Sequence, residues 1–341
     1  MSHHSKKIIF DTRWIGDHGI GRFAKEVYDD EIFEPIRLKG NPVSIFDVVK
    51  LTIYLFFNKN FFFSPGFNAP FFFLHRTAIT IHDLNHIDVD ANTSFLKKLY
   101  YNIVLKRACK KAALIFTVSE FSKGRIVDWS GINPDKVKVV YNGVSSAFHQ
   151  DVQPYLPGFS YIFIVGNRKK HKNEDRALRA FAKANIDKNI HVLFSGKPSD
   201  QLLNTAKELQ IEDRVKFLGR LSEEELASTY KGAICLLFPS LYEGFGLPAI
   251  EAMACGTPVI TSNSTSLVEI SGSSALFVNP HDINHIQESL NMLINNHELR
   301  NKLIDKGFLT AKKYLWFYSK NKIKRLLTSS NTKDQFINHK E

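Results

Sequence analysis

Residues 239–258 read PSLYEGFGLPAIEAMACGTP. Glu243 and Glu251 stand seven residues apart and bracket Gly244, Gly246 and Pro248. Glycines let backbone amides come close to a ligand. Proline is well placed as a first helical residue, where its missing N–H costs nothing. The helix it opens presents free N–H groups and a positive dipole end, which suits an anion. The two carboxylates are poor phosphate ligands but accept hydrogen bonds from hydroxyls. Charge in the middle and hydroxyls at both ends describe a sugar diphosphonucleoside. A solvated Glu243 and a dipole-stabilising Glu251 would explain a lone carboxylate pair equally well. The glycines, the proline and the flanking apolar runs AICLLFPS (233–240) and TPVITS (257–262) weigh against that.

Three further segments carry candidate chemistry. VGNRKKHKN (165–173) clusters Arg168, Lys169, Lys170 and Lys172 after Gly166, where a diphosphate would need cations; by itself it is equally a solvated basic loop. Gly19-Ile20-Gly21-Arg22 opens the pattern GRFAKEVYDD, and Gly19–Ala24 also satisfies the G-x-G-x-x-A dinucleotide fingerprint. That fingerprint belongs directly after a first strand, whereas residues 11–18 intervene here after KKIIF, which weakens a dehydrogenase reading. In TIHDLNHID (80–88), His82, Asp83, His86 and Asp88 resemble a metal cluster, but no further ligands are evident at other strand ends. Asp83 alone would serve as a turn cap.

These loops must be held by regular elements, and the chain supplies them in alternation. KKIIFD (6–11), AITIHD (78–83), ALIFTVS (113–119) and VKVVYNG (137–143) have the form of buried strands. A second series follows in YIFIVGN (161–167), IHVLFSG (190–196), VKFLG (215–219), AICLLFPS and TPVITS. Helical patterns lie between them, at 174–184, 200–209, 222–231 and 248–254. Such alternation predicts α/β architecture with parallel sheets covered on both faces. Residues 145–160, rich in Pro, Ser and Gly, separate the two series. The expected organisation is a Rossmann-like doubly wound domain at 1–150, a second at 151–311, and a crossover helix and tail at 312–341. Ligands in such sheets lie beyond the carboxyl ends of the strands, so two facing sets of these loops would form one cleft.

The stretch FPSLYEGFGLPAIEAMACGTPVITS resembles the E-x7-E signature of retaining GT-B glycosyltransferases of family 4 (group 1), and the similarity runs over nearly the whole chain. The resemblance implies a GT-B fold whose C-terminal helix, KKYLWFYSKNKIKRLL (312–327), crosses back to the first domain. It implies that Glu251 holds the donor's ribose hydroxyls, that Glu243 contacts the transferred sugar, and that amides around Phe245, Gly246 and Leu247 approach the sugar or diphosphate. Arg168 and Lys172 would neutralise the diphosphate, although many relatives read R-K-N where this chain has His171-Lys172-Asn173. Gly19 and Gly21 would face the donor phosphate and Arg22 the acceptor. His82 would orient a sugar hydroxyl or the leaving phosphate, and Asp83 would contact the acceptor. No metal, cofactor or covalent nucleophile is expected. The DTRWIG and GIGRF opening and the HKN loop resemble bacterial polysaccharide and O-antigen mannosyl- or rhamnosyltransferases, with a lean to GDP-mannose and a lipid-linked glycan acceptor.

The remaining composition narrows the setting. A net charge of +11 points to anionic partners, but the excess is spread over both halves without a basic tail or a nucleic-acid motif, which argues against nucleic acid. Cys109, Cys235 and Cys255 form no pair or metal spacing, the mark of a reducing, cytoplasmic setting. MSHHSKKIIF lacks the apolar core of a signal peptide. The apolar stretch 51–74 is broken by Asn58, Lys59, Pro65 and Pro70, so it cannot supply the ~20 apolar residues of a span. SFLKKLYYNIVLKRACKKAALI (94–115) has a basic amphipathic helical pattern, an expected site of peripheral contact with an anionic inner membrane face; packing on the first domain's sheet would explain it as well. A sugar-nucleotide epimerase, a dehydrogenase and a non-catalytic sugar-binding module are the competing classes.

Overall fold

Twelve strands, counted among the described residues, carry the architecture of the computed structural model, which describes residues 7–88 and 99–329. Each of these strands is three or four residues long, and Ile8–Phe10, Tyr161–Ile164, Leu236–Phe238 and Ala275–Val278 are continuously apolar, as strands covered on both faces require. The chain divides into two units, one comprising 1–142 with 316–341 and the other 143–315.

In the first unit, β1 (Ile8–Phe10), β2 (Phe33–Pro35), β3 (Phe62–Ser64), β4 (Thr77–Thr80), β5 (Leu114–Thr117) and β6 (Val137–Val139) form a parallel sheet in the order β2-β1-β3-β4-β5-β6. The fully buried rings of Phe10, Phe33, Phe63 and Phe116 meet edge-on or tilted on one face. The helix Trp316–Thr328 packs on this same face, with Trp316, Ile323 and Leu327 buried beside Phe23. The C-terminal helix thus returns to the first unit, as the family resemblance implies.

The second sheet combines β7 (Tyr161–Ile164), β8 (His191–Phe194), β9 (Val215–Phe217), β10 (Leu236–Phe238), β11 (Val259–Ser262) and β12 (Ala275–Val278) in the order β12-β11-β10-β7-β8-β9. All its neighbours are parallel. Ile162, Ile164, Val192, Phe194, Leu237 and Ile260 join Leu178 and Phe181 of the helix Glu174–Lys183 in its core.

In both sheets the strand order reverses direction once, between β1 and β3 and between β7 and β10. Loops leaving neighbouring strands on either side of such a reversal turn away from each other and leave a crevice. The candidate residues of the second unit leave β7 and β10.

Among the described residues of the segment 94–115, 99–111 are helical without a break, as the pattern predicts, and the helix stops short of residue 115. Residues 94–98, with Lys97 and Lys98, lie outside the described residues. The run is π-helical over Tyr100–Leu105 and passes directly into the α-helix Lys106–Lys111, and from Leu114 the chain is β5. Leu105, Ala108 and Cys109 are buried against Ile79, Ile115 and Ile126. No helix among the described residues is long and apolar enough to cross a membrane.

Candidate active site

β7 ends at Ile164, and the chain passes through Gly166 and a tight turn at Lys170–Lys172 into the helix Glu174–Lys183. Asn173 ends that turn in the left-handed region, φ 58°. Its side-chain amide donates to the Pro239 carbonyl at 2.9 Å and the Pro280 carbonyl at 2.7 Å, tying the turn to the ends of β10 and β12. The Leu241 amide also donates to the His171 carbonyl at 2.7 Å. These bonds bring two loops, distant in sequence, side by side.

Lys172 and Glu243 meet there, Nζ to Oε1 at 2.6 Å, with side chains 14% and 12% exposed. The ammonium also stands 5.1 Å from the centroid of the Phe238 ring. Each charge is largely withdrawn from water and compensated by the other.

The Glu243 loop is clamped from behind. Ser266 Oγ shares its proton between the carbonyls of Glu243 and Phe245, at 2.8 and 3.1 Å. Phe245 is buried with its ring edge-on to Tyr314 at 5.5 Å. Gly246 takes φ +101°, a backbone that favours glycine, and a Cβ there would lie 2.6 Å from Leu267 Cδ2, so Leu267 would also have to shift. The helix Leu247–Ala254 follows, with Pro248 in its first turn and no side chain capping its N-terminus. Glu251 is 3% exposed and its Oε2 accepts from Tyr230 OH at 3.1 Å. Nearby, Ser240 Oγ, Ser264 Oγ and Thr265 Oγ1 are buried and have no hydrogen-bond partner. Buried hydroxyls are normally paired, so these three leave hydrogen-bonding capacity unfilled at the ends of β10 and β11.

Arg168 takes a different course from Lys172. It stands at φ 65°, and its guanidinium donates to Glu174, to the Ser195 carbonyl and, through Nε at 2.7 Å, to the Lys197 carbonyl. It lies 5.4 Å from the ring centroids of both Phe194 and Phe217. Burial lowers its pKa and raises that of Glu174, while their mutual attraction opposes both shifts. Glu174 also accepts the Arg168 amide at 3.0 Å. A Cβ on Gly166 would lie 2.1 Å from Glu174 Oε1, which accounts for that glycine. Arg168 therefore braces the loop that presents Lys172.

In the first unit, the helix Gly19–Val27 is capped by His18, whose Nδ1 accepts the Gly21 amide at 3.0 Å. The turn Thr12–Trp14 and residues 15–18 separate it from β1. Gly21 faces the Gly16 carbonyl oxygen, which a Cβ would approach to 2.3 Å; a Cβ on Gly19 would point into open space. Arg22 sits in the first turn, its amide donating to the His18 carbonyl at 2.8 Å. His82 packs edge-on against Phe23 of this helix at 4.8 Å, so the third and fourth sequence elements share one location. Its Nε2 lies 2.9 Å from the Pro65 carbonyl. A carbonyl can only accept, so Nε2 carries the proton and Nδ1 keeps a lone pair for a hydroxyl. Burial pushes the imidazole down to about 4, with His18 adding to the shift and the Pro65 bond opposing it. Asp83 Oδ1 accepts the Asn85 amide at 3.0 Å and opens the short helix Asn85–Asp88. Asp88 forms a bidentate pair with Arg125 at 3.0 and 2.7 Å. Among the described residues, no three His, Cys, Asp or Glu side chains converge in a way that could hold a metal.

At the β1/β3 reversal the structure contains a network absent from the sequence-based candidates. Arg13 pairs with Asp11 at 2.7 Å and with Asp47 at 2.6 Å, and both carboxylates are buried. Asn68 Nδ2 donates to Asp11 at 2.9 Å and Asp47 at 3.0 Å, and Trp14 Nε1 donates to Asn68 Oδ1 at 2.7 Å. Burial opposes the Arg13 charge, but the bonds to the two carboxylates outweigh it and raise its pKa above the usual arginine value. The run Asp-Thr-Arg-Trp directly after a first strand was the available signal.

Two family models divide most of the chain between them. Glycosyltransferase Family 4 matches residues 60–148 and Glycosyl transferases group 1 matches residues 150–310. The O-antigen chain mannosyltransferase RfbU of Salmonella typhimurium strain LT2 is 33% identical over 212 residues, covering 61% of this chain and 58% of that protein. The matched stretch is thus less than two thirds of that relative's length. The O-antigen chain mannosyltransferase B of Escherichia coli is 27% identical over 266 residues, covering 74% of this chain and 70% of the relative. Among solved structures, sucrose-phosphate synthase from Thermosynechococcus elongatus superposes with a TM-score of 0.76 at 18% identity, over 94% of this chain and 98% of that one. That likeness concerns the fold, which is GT-B. By its two matching models, its paired parallel sheets and the E-x7-E loop beside Lys172, the chain belongs to the group 1, family 4 glycosyltransferases.

Proposed function

We propose that this chain is a retaining mannosyltransferase that moves mannose from GDP-mannose to a hydroxyl of a lipid-linked glycan in surface polysaccharide assembly. The observation that carries the reading is the Lys172–Glu243 pair at the β7/β10 reversal, beside an uncapped helix N-terminus. Family membership and relatives named as O-antigen mannosyltransferases support the sugar and the setting.

The donor diphosphate lies against Lys172 and the amides at the start of the helix Leu247–Ala254, which stabilise negative charge as it develops on the leaving group. Glu243 meets the transferred sugar and Glu251 the ribose hydroxyls. Arg168 holds the loop and adds positive field from behind. Arg22 and Asp83 of the first unit belong to the acceptor side. His82, neutral and with a free Nδ1 lone pair, accepts a hydrogen bond from a sugar hydroxyl. The anomeric carbon–phosphate oxygen bond breaks, a bond from the acceptor oxygen forms on the same face, and the acceptor proton passes to the departing diphosphate. No step requires a metal.

A thermal-shift comparison of GDP-mannose, UDP-glucose and dTDP-rhamnose tests the donor, since only a bound ligand raises the melting temperature. GDP-mannose is expected to stabilise most. Anomeric couplings in the NMR spectrum of the product test retention; an inverted product would refute it. Turnover unchanged in EDTA is the expected metal test.

A further inference from the structure

The helix Asp47–Phe57 is apolar on both sides. Leu51 and Leu55 are buried with Ile9, Ile36 and Phe62. The opposite side exposes Val49, Ile53, Phe56 and Phe57, the last two at 57% and 75%. A helix of a water-soluble unit ordinarily turns polar residues outward, and a contiguous exposed apolar patch marks an interaction site. The patch extends past the helix. Phe46 is exposed just before it. Thr52 Oγ1 accepts the Phe71 amide at 2.8 Å, which fixes the exposed Phe71 and Phe72 alongside.

The exposed charges among residues 35–82 have one sign. Between Glu34 and Asp83 the single acidic residue is Asp47, which is buried and paired with Arg13. Lys50 and Lys59 are exposed. The Lys59 ammonium stands 5.1 Å from the Phe56 ring centroid, and Arg107 lies 4.6 Å from that of Phe71 while donating to the Phe71 carbonyl at 3.2 Å. A hollow of about 300 Å³ opens here, lined by Phe71, Phe72, His75, Arg107 and Lys111 among others.

We infer that this face docks on an anionic lipid bilayer. Phe56, Phe57 and Phe72 enter the interface, and Lys50, Lys59, Arg107 and Lys111 meet headgroup phosphates. Aromatic rings amid cations, with no exposed carboxylate among residues 35–82, match the combination that holds peripheral helices on anionic membranes. The occupant's charge decides against a second copy of this face, which would bring like charges together. The inference rests on the proposed function only in that a lipid-linked acceptor gives the contact its use.

Sedimentation of the full chain with vesicles, without donor or acceptor, tests it separately from transfer. Binding is expected to mixed phosphatidylcholine–phosphatidylglycerol vesicles but not to phosphatidylcholine alone, and to weaken with salt. The variants Phe56→Ser/Phe57→Ser and Lys50→Glu/Lys59→Glu should each reduce binding at least about tenfold while melting near the wild-type temperature. Equal binding to neutral vesicles, or undiminished binding by both variants, would overturn the inference. So would a dimer in sedimentation equilibrium that Phe56→Ser/Phe57→Ser dissolves, since the face would then be a self-interface. Vesicle binding that persists in a preparation unable to transfer sugar would count against the proposed function alone.

Discussion

Lys172 and Glu243 are 71 residues apart in sequence and 2.6 Å apart in the fold. Each has the other as counter-ion, so the cation proposed for the donor diphosphate is held in place by the carboxylate proposed for the sugar. Removing either partner leaves a charge largely shielded from water. Lys172→Met and Glu243→Gln should each destabilise the second unit by roughly 2 kcal/mol, below the figure for fully buried pairs because both side chains retain some solvent. The double variant should recover part of that loss, as a urea double-mutant cycle would record. Turnover should fall on the order of a hundredfold or more in either single variant and should not recover in the double. Additive stability losses would show that the pair is not coupled.

Gly19 and Gly21 make opposite predictions despite their proximity. Gly21→Ala places a methyl on the Gly16 carbonyl oxygen and should cost roughly 2 kcal/mol. Gly19→Ala meets nothing within 4 Å and should leave the melting temperature near that of the wild type. Loss of transfer in a normally folded Gly19→Ala enzyme would indicate that a substrate comes close to this position; unchanged kinetics would remove Gly19 from the site.

Gly246→Ala combines a backbone conformation unfavourable to L-residues with a contact on Leu267. A cost of about 2 kcal/mol or more is expected, with a raised KM for the donor as the loop shifts. A melting temperature equal to that of the wild type would contradict the clamp described at Ser266 and Leu267.

His82 has a folded-state pKa of about 4, below the ~6.5 of an unfolded histidine. Its contribution to stability is therefore complete above about pH 6.5. It declines as pH falls toward 4, where the unfolded chain binds a proton that the folded one refuses, and it levels off below. The total is at most about 3 kcal/mol. Urea unfolding midpoints between about pH 7 and pH 4 should fall less steeply in His82→Gln than in the wild type. Equal slopes would mean that His82 is not held neutral.

Arg168 and Lys172 should separate kinetically. Arg168 is braced on Glu174 and two carbonyls, so Arg168→Lys should lose stability, by roughly 1–2 kcal/mol, and lower turnover less than Lys172→Met does. Equal kinetic losses from the two would place Arg168 directly on the diphosphate.

Local chemistry was legible before any coordinates. Strand and helix alternation follows from the spacing of apolar residues, and the Gly244–Pro248 loop declares itself because few residue types tolerate its backbone. A serine followed by an acidic residue is legible as a helix start, and Ser119, before Glu120, accepts the Ser122 amide at 3.0 Å. Short edge strands such as Phe33–Pro35 and the helix Asp47–Phe57 were not, because a few apolar residues fit either period. The sequence by itself thus determined which side chains could do chemistry and what class of ligand they suit. The tertiary structure decided that Lys172 meets Glu243 while Arg168 turns to Glu174, that Arg13 is shared by Asp11 and Asp47, and which face of Asp47–Phe57 stays outside. These are consequences of strand order and packing, which join residues tens of positions apart and leave no trace in local spacing.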